Sequence, residues 1–218
     1  MKEKQKMKEK VKEFIVKNLK WIILFICLIG FLTIAEDVFN KEIMNGDIVG
    51  YKLISTFLIS DFATPIAKFI TNFGGAIFLA VLTIILFILI KNKKIGVSIF
   101  SNLAIITALN QLLKNILQRP RPTEYRIIEE TGSSFPSGHS MISMAFYGYI
   151  IYLIYKYVKN KYVKWISMAL LSLLICSIGI SRIYLGVHYT SDVLGGFLIS
   201  ISYLVIYISA VNKFLIEK

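Results

Sequence analysis

The sequence predicts an all-α integral membrane protein: a bundle of six transmembrane helices, with short amphipathic helices at the membrane surface after the first span. Three observations support this prediction. Hydrophobic residues make up 56% of the 218-residue chain, and its mean hydropathy of +0.67 is too high for an ordinary soluble domain. Six apolar segments can cross a hydrocarbon core of ~30 Å. The basic residues are concentrated in alternate connections between those segments.

The six predicted spans follow one another without a long polar interruption. They are Trp21–Ala35, extended back towards Phe14, then Phe73–Ile90, Ile95–Leu113, Ser140–Tyr155, Trp165–Ile180 and Val193–Val211. The sequence therefore predicts a single membrane domain over residues 21–212. A basic segment, residues 1–20, precedes this domain, and a short tail, residues 213–218, follows it.

The segment from residue 36 to residue 72 does not have the pattern of a further span. Charged residues such as Asp47, Lys52 and Asp61 interrupt its apolar positions. This pattern is typical of short amphipathic helices that lie in the membrane interface. Gly74 and Gly75 then predict a bend into the second span.

The net charge of +12 is unevenly distributed along the chain. With a cytoplasmic amino terminus, 17 of the 25 basic residues fall on the cytoplasmic side, and nine of the 13 acidic residues fall on the other. This distribution follows the positive-inside rule, so we expect a multi-pass plasma-membrane protein with both termini in the cytoplasm. Attraction to anionic lipid head groups explains the amino-terminal lysines, and we expect no nucleic-acid partner.

Three polar clusters lie at the ends of predicted spans. Counting crossings from a cytoplasmic amino terminus places all three on the extracytoplasmic side, and both histidines of the chain lie within them. The clusters are Lys114 with Arg121-Pro122, Pro136-Ser137-Gly138-His139, and Ser181-Arg182 with His188 and Asp192.

The first property of these clusters is their capacity to bind phosphate. Arg121 and Arg182 each offer a planar pair of donors that matches two phosphate oxygens, and Lys114 adds a compact positive charge. Ser137 and the backbone amide of Gly138 stand at the expected start of a helix, where donors and a positive dipole favour anions. These five residues are the candidate phosphate-binding residues.

The second property is a nucleophile with an acid partner. His188 and Asp192 are four residues apart and share one face of a helix. A carboxylate on one ring nitrogen fixes the tautomer and leaves the other nitrogen free to attack phosphorus. His139, when protonated, can donate to the leaving oxygen and later help to activate water. We therefore predict His188, His139 and Asp192 as catalytic residues.

The remaining charged residues of the same region are expected to have ordinary roles. We expect Arg119 and Arg126 to be interfacial cations whose side chains extend to the membrane surface. Glu129 and Glu130 are expected to lie in a solvated loop. Since no cluster of carboxylates and imidazoles suits a metal ion, we expect metal-independent chemistry and no cofactor.

The three clusters together resemble the signature of the type-2 phosphatidic acid phosphatase superfamily, the membrane-bound lipid phosphatases. Its spacing is Lys, six residues and Arg-Pro; then Pro-Ser-Gly-His; then Ser-Arg, five residues, His, three residues and Asp. The sequence matches every position of this pattern between Lys114 and Asp192. The resemblance implies a six-helix bundle, an extracytoplasmic pocket and a phosphohistidine intermediate on His188. It also implies a lipid phosphate substrate, with undecaprenyl pyrophosphate and phosphatidylglycerophosphate favoured.

A different class of protein is the main alternative. Six spans with charged residues at their ends also suit a transporter or channel that uses intramembrane charges. The gathering of these charges at one face, with no second cluster at the other, favours the phosphatase. A vanadate-dependent haloperoxidase would share the pocket, but those enzymes are soluble. The signature contacts only phosphate, so the identity of the lipid stays open, as does the oligomeric state.

Overall fold

The computed structural model describes residues 2–41, 44–123 and 125–213, and in these residues it contains eight α-helices and no strand. The helices are α1 (Lys2–Phe39), α2 (Asn45–Phe57), α3 (Ala63–Asn72), α4 (Ala76–Leu89), α5 (Lys93–Leu117), α6 (Gly138–Tyr157), α7 (Lys161–Tyr184) and α8 (Thr190–Val211). The all-α prediction is confirmed for this part of the chain. Most of the predicted tail, residues 214–218, lies outside the described residues.

Helix α6 is the central helix of the bundle. It packs against α5, α7 and α8, while α1 covers α8, α4 covers α5 and α3 covers α7. The main core cluster joins Leu79 of α4, Ile99 of α5, Phe146 of α6 and Ile178 of α7. Burying these side chains between helices fixes where the ends of α5, α6, α7 and α8 lie.

Four helices are long and apolar enough to cross a membrane: Glu13–Phe39 within α1, then α5, α7 and α8. A fifth is added when α3 and α4, which meet at an angle of 50°, count as one broken span. The predicted fourth span coincides with α6, which is not in this set. Several of its serines and tyrosines, such as Ser143 and Tyr149, are buried against neighbouring helices. Large apolar side chains such as Ile88 and Leu170 are exposed on the outer helices, as expected for contact with lipid.

The region between α1 and α4 contains two short helices, α2 and α3, and their placement at the membrane surface stays a prediction. Helix α1 is longer than the predicted first span, because it runs without a break from the basic amino-terminal segment to Phe39. The connection after α5 is the longest one, residues 118–137, and it contains no helix among its described residues.

Candidate active site

The three polar clusters converge at one end of the bundle. The backbone N–H of Ser137, which precedes α6, donates to the carbonyl of Asp192 in α8 at 3.0 Å. Arg121, from the connection after α5, lies with Nη1 3.1 Å from Nε2 of His188. Local sequence explains this placement: Ser137 caps α6 through its hydroxyl, and Asp192 lies in the first turn of α8.

His188 is held at both ring nitrogens. Its Nδ1 lies 3.2 Å from Oδ2 of Asp192, which also accepts the backbone N–H of Tyr189 at 2.9 Å. With the proton on Nδ1, the ring donates to Asp192 and Nε2 keeps its lone pair towards Arg121. Burial lowers the pKa of His188 to about 4, although the Asp192 carboxylate opposes this shift. This direction of shift favours the neutral imidazole, which is the form that a nucleophile needs.

Arg121 also organises the loop that covers the site. Its Nε donates to the carbonyl of Gly132, its Nη2 to that of Thr131 and its Nη1 to that of Val187, each at 3.0 Å. Gly186, just before Val187, has φ +70°, and a Cβ there would lie 2.0 Å from the carbonyl oxygen of Tyr125. Only glycine allows the segment before His188 to approach the backbone of Tyr125 this closely.

Arg182 is the most deeply buried cation of the site, with 1% of its surface exposed. Its Nη1 donates to Oγ1 of Thr71 in α3 at 2.8 Å, and its Nη2 contacts a carboxylate oxygen of Glu130. Its buried Nε has no hydrogen-bond partner in the part of the chain that the structure describes. A buried guanidinium with an unused donor is suited to an anionic ligand.

Lys114, His139 and Gly138 complete the cluster. Lys114 donates from Nζ to the carbonyl of Ser133 at 2.7 Å. His139, in the first turn of α6, lies within electrostatic range of Arg182, Glu130, His188 and Lys114. A Cβ on Gly138 would lie 3.2 Å from Oδ1 of Asn110, so this position has little room for a side chain. All eight residues predicted for the site thus lie at the same end of the bundle.

The sequence interpretation of Glu130 was wrong. Glu129 is solvated as expected, with 90% of its side chain exposed, but Glu130 folds into the cationic cluster. Its Oε2 lies 3.6 Å from Arg121, and its Oε1 pairs with Arg182. Burial raises the pKa of Glu130, but the attraction of Arg182 and Arg121 outweighs this effect, so its pKa lies below the ordinary value. Glu130 is therefore an anion placed among the proposed phosphate-binding groups.

The interpretation of Arg119 was also wrong, whereas that of Arg126 is not contradicted. Arg119 is not an interfacial cation, because its guanidinium forms 2.7 Å ion pairs with both Asp47 and Asp192. Arg126 donates from Nε to the carbonyl of Pro122 and lies near the exposed Glu129, so its interfacial position stays a prediction. The expectation for Arg119 failed since a partner such as Asp47, 72 residues away from Arg119, has no periodic relation to it.

Comparisons with known proteins agree on a family. Residues 94–216 match the profile of the PAP2 superfamily. Over 93 residues, 41% of the chain, the sequence is 42% identical to phosphatidylglycerophosphatase B of Bacillus subtilis, and this stretch spans 44% of that relative. An undecaprenyl-diphosphatase of Sulfolobus acidocaldarius is 26% identical over 191 residues, which cover 82% of the chain and 84% of the relative.

Solved structures give the same result for the fold. The bundle superposes with a TM-score of 0.75 on the transmembrane PAP2 type phosphatidylglycerolphosphate phosphatase of Bacillus subtilis, at 26% identity, covering 88% of this chain and 96% of that one. Aquifex aeolicus LpxE superposes with a TM-score of 0.59 at 25% identity, and the match covers 73% of this chain and 92% of LpxE. The relatives named as phosphatases confirm the predicted enzyme class at the level of the family. Because the profile of the PAP2 superfamily matches more than half of the chain, the chain belongs to this superfamily.

Proposed function

We propose that the chain is a membrane-embedded phosphatase that removes phosphate from a lipid phosphomonoester or pyrophosphate through a phosphohistidine on His188. The observation that carries the proposal is the placement of the His188 imidazole, with Nδ1 against Asp192 and Nε2 against Arg121. Arg182 and Lys114 lie at the same end of the bundle and would neutralise the charge of the phosphoryl group.

In the first step, Nε2 of His188 attacks phosphorus, so that an N–P bond forms while the bond from phosphorus to the leaving oxygen breaks. His139 donates a proton to that oxygen, which leaves as the lipid alcohol or lipid monophosphate. A bound anionic phosphate favours the protonated form of His139. Asp192 stabilises the positive charge that develops on the His188 ring.

In the second step, water attacks the phosphohistidine. His139 accepts a proton from the water as the new P–O bond forms and the N–P bond breaks, which releases orthophosphate and restores neutral His188. The side chains that we assign to phosphate are those of Lys114, Arg121 and Arg182. Ser137 and the amide of Gly138 add donors at the amino terminus of α6. No step needs a metal ion or another cofactor.

The membrane arrangement is part of the same proposal. We infer six spans, formed by α1, by the bent pair α3 and α4, and by α5, α6, α7 and α8. The distribution of basic residues favours cytoplasmic termini and an extracytoplasmic active site in the plasma membrane. Substrate would then approach from the outer leaflet.

Undecaprenyl pyrophosphate and phosphatidylglycerophosphate are the favoured substrates, because relatives of the chain carry the corresponding names. The test is phosphate release by the purified protein in detergent with EDTA, on these two lipids and phosphatidic acid side by side. We expect release that resists EDTA, and the ranking of rates identifies the substrate. A folded sample that releases no phosphate from any of the three would favour the transporter or channel alternative.

Glu130 provides a prediction about phosphate binding. Its carboxylate pairs with Arg182 and lies near Arg121, so an incoming phosphate has to compete with it for these cations. In Glu130→Gln we expect KM and the inhibition constant of orthophosphate to fall by roughly 3- to 10-fold, which corresponds to about 1 kcal/mol.

The matched control for this variant is Glu129→Gln, because the neighbouring Glu129 side chain is solvent-exposed. Both constants should be nearly unchanged in the control. Inhibition by orthophosphate that is equal or weaker in Glu130→Gln would show that Glu130 does not compete with the ligand.

A further inference from the structure

Helix α2 has an unusual distribution of exposed and buried residues. Its apolar Ile48 and Val49 are 58% and 55% exposed, whereas the charged Asp47 between Gly46 and Ile48 is only 7% exposed. Burying a carboxylate is costly unless it is paired and hydrogen-bonded. The partners of Asp47 therefore explain how α2 is attached to the bundle.

Arg119 is the charged partner of Asp47, and it joins this residue to the active site. Nη2 of Arg119 lies 2.7 Å from Oδ2 of Asp47, and Nη1 lies 2.7 Å from Oδ1 of Asp192. The guanidinium also stacks over the ring of Tyr189, 4.1 Å from its centroid. Because the other Asp192 oxygen contacts His188, one side of this carboxylate faces the nucleophile and the other faces Arg119.

Asp47 also holds the backbone next to Asp192. Its Oδ1 accepts the backbone N–H of Ser191 at 2.8 Å, and its Oδ2 accepts the Ser191 hydroxyl at 2.9 Å. One turn further along α2, a Cβ on Gly50 would lie 2.1 Å from Oγ1 of Thr190. Helix α2 thus approaches the start of α8 as closely as the backbone allows.

We propose that Arg119 and Asp47 are positioning residues for the nucleophile: they fix the Asp192 carboxylate that orients His188, and docking of α2 completes the active site. This inference rests on the proposed function. Neither residue belongs to the three polar clusters. Within the described residues, neither contacts Lys114, Arg121 or Arg182, the cations that we assign to phosphate binding. Their loss should therefore lower the rate of the chemical step and leave phosphate binding unchanged.

The test compares Asp47→Asn and Arg119→Lys with the wild type. Both changes keep a polar side chain of similar size, but Asn removes the charge, and a single ammonium group cannot bridge two carboxylates as a guanidinium does. For phosphatidylglycerophosphate in detergent we expect kcat to fall by roughly 10- to 100-fold, as for partners that orient an active-site group. KM and the inhibition constant of orthophosphate should stay within about threefold. Asp61→Asn, an exposed acid in the connection after α2, is the matched control and should behave as wild type.

Two outcomes would overturn the inference. One is an unchanged kcat in both variants while the wild type releases phosphate. The other is a loss of orthophosphate inhibition and of thermal stability in proportion to kcat, which would indicate a merely structural role. A wild-type protein that releases no phosphate from any lipid phosphate would instead overturn the proposed function, and this inference with it.

Discussion

We expect His188→Ala to abolish phosphate release, with a loss of about 10^4-fold or more in kcat. Neither water nor His139 can replace Nε2 of His188 at its position between Asp192 and Arg121. Losses of this size are usual when the attacking side chain itself is removed. The measurement is release of orthophosphate from the preferred lipid in detergent, with EDTA present.

Folding is the required control, because His188 is buried among charged groups. His188→Gln keeps a polar side chain of similar length and should be equally inactive. Both variants should elute as the wild type does in size-exclusion chromatography and show a cooperative thermal transition. Substantial activity in either folded variant would contradict attack by His188.

Arg182→Lys lowers kcat/KM by an expected 10^2- to 10^3-fold. The two terminal nitrogens of Arg182 contact different groups, Thr71 and Glu130. Its Nε has no partner among the described residues, so this nitrogen can donate to a ligand. A lysine keeps the charge but cannot reproduce this geometry. Losing one preorganised donor to a developing oxyanion has a cost of this order.

Arg126→Lys is the matched control for that variant. Arg126 belongs to the same region, but 24% of its side chain is exposed and it pairs with the solvated Glu129. We expect this control to change kcat/KM by less than about threefold. If Arg182→Lys shows kinetics similar to those of the control, the guanidinium of Arg182 is not used in the reaction.

The sequence allowed prediction of the residues whose chemistry is local. The spacing of His188 and Asp192 predicts a shared helical face, and the structure places Nδ1 within 3.2 Å of the carboxylate. Positions such as Ser137, which caps α6, could also be predicted, because a helix start has a sequence pattern. The assignment of catalytic and phosphate-binding roles to these residues remains a prediction for the variants above.

The long-range partners could not be predicted in the same way. Pairing of Arg119 with Asp47 depends on how α2 docks on α8, and no periodicity relates the two positions. The sequence interpretation of Glu130 as a residue of a solvated loop was wrong. In the structure, Arg121 binds the carbonyls of Thr131 and Gly132, and so draws this loop over the site. Such bonds to backbone carbonyls leave no trace in the side-chain pattern.

The number of spans shows a second limit of hydropathy. By helix length and mean hydropathy, the candidate spans are Glu13–Phe39 of α1, α5, α7 and α8, which carry exposed apolar side chains. The central α6 is not among them, although its apolar segment Ser140–Tyr155 is predicted to be a span. A helix enclosed by other helices needs no apolar surface on every side, and polar contacts such as that of the Tyr149 hydroxyl with Ser98, at 2.7 Å, take its place. Length and composition therefore support four or five spans among the described residues, and the total of six stays a prediction.

The most direct test of the account is to trap the covalent intermediate. The protein is mixed with a lipid substrate labelled with 32P on the transferred phosphate, quenched in alkali within milliseconds and digested for mass spectrometry, because an N–P bond survives alkali and breaks in acid. We predict an acid-labile phosphate on the peptide that contains His188, absent from His188→Ala. Phosphate release without a labelled peptide at any quench time, or with the label on His139, would contradict the central claim.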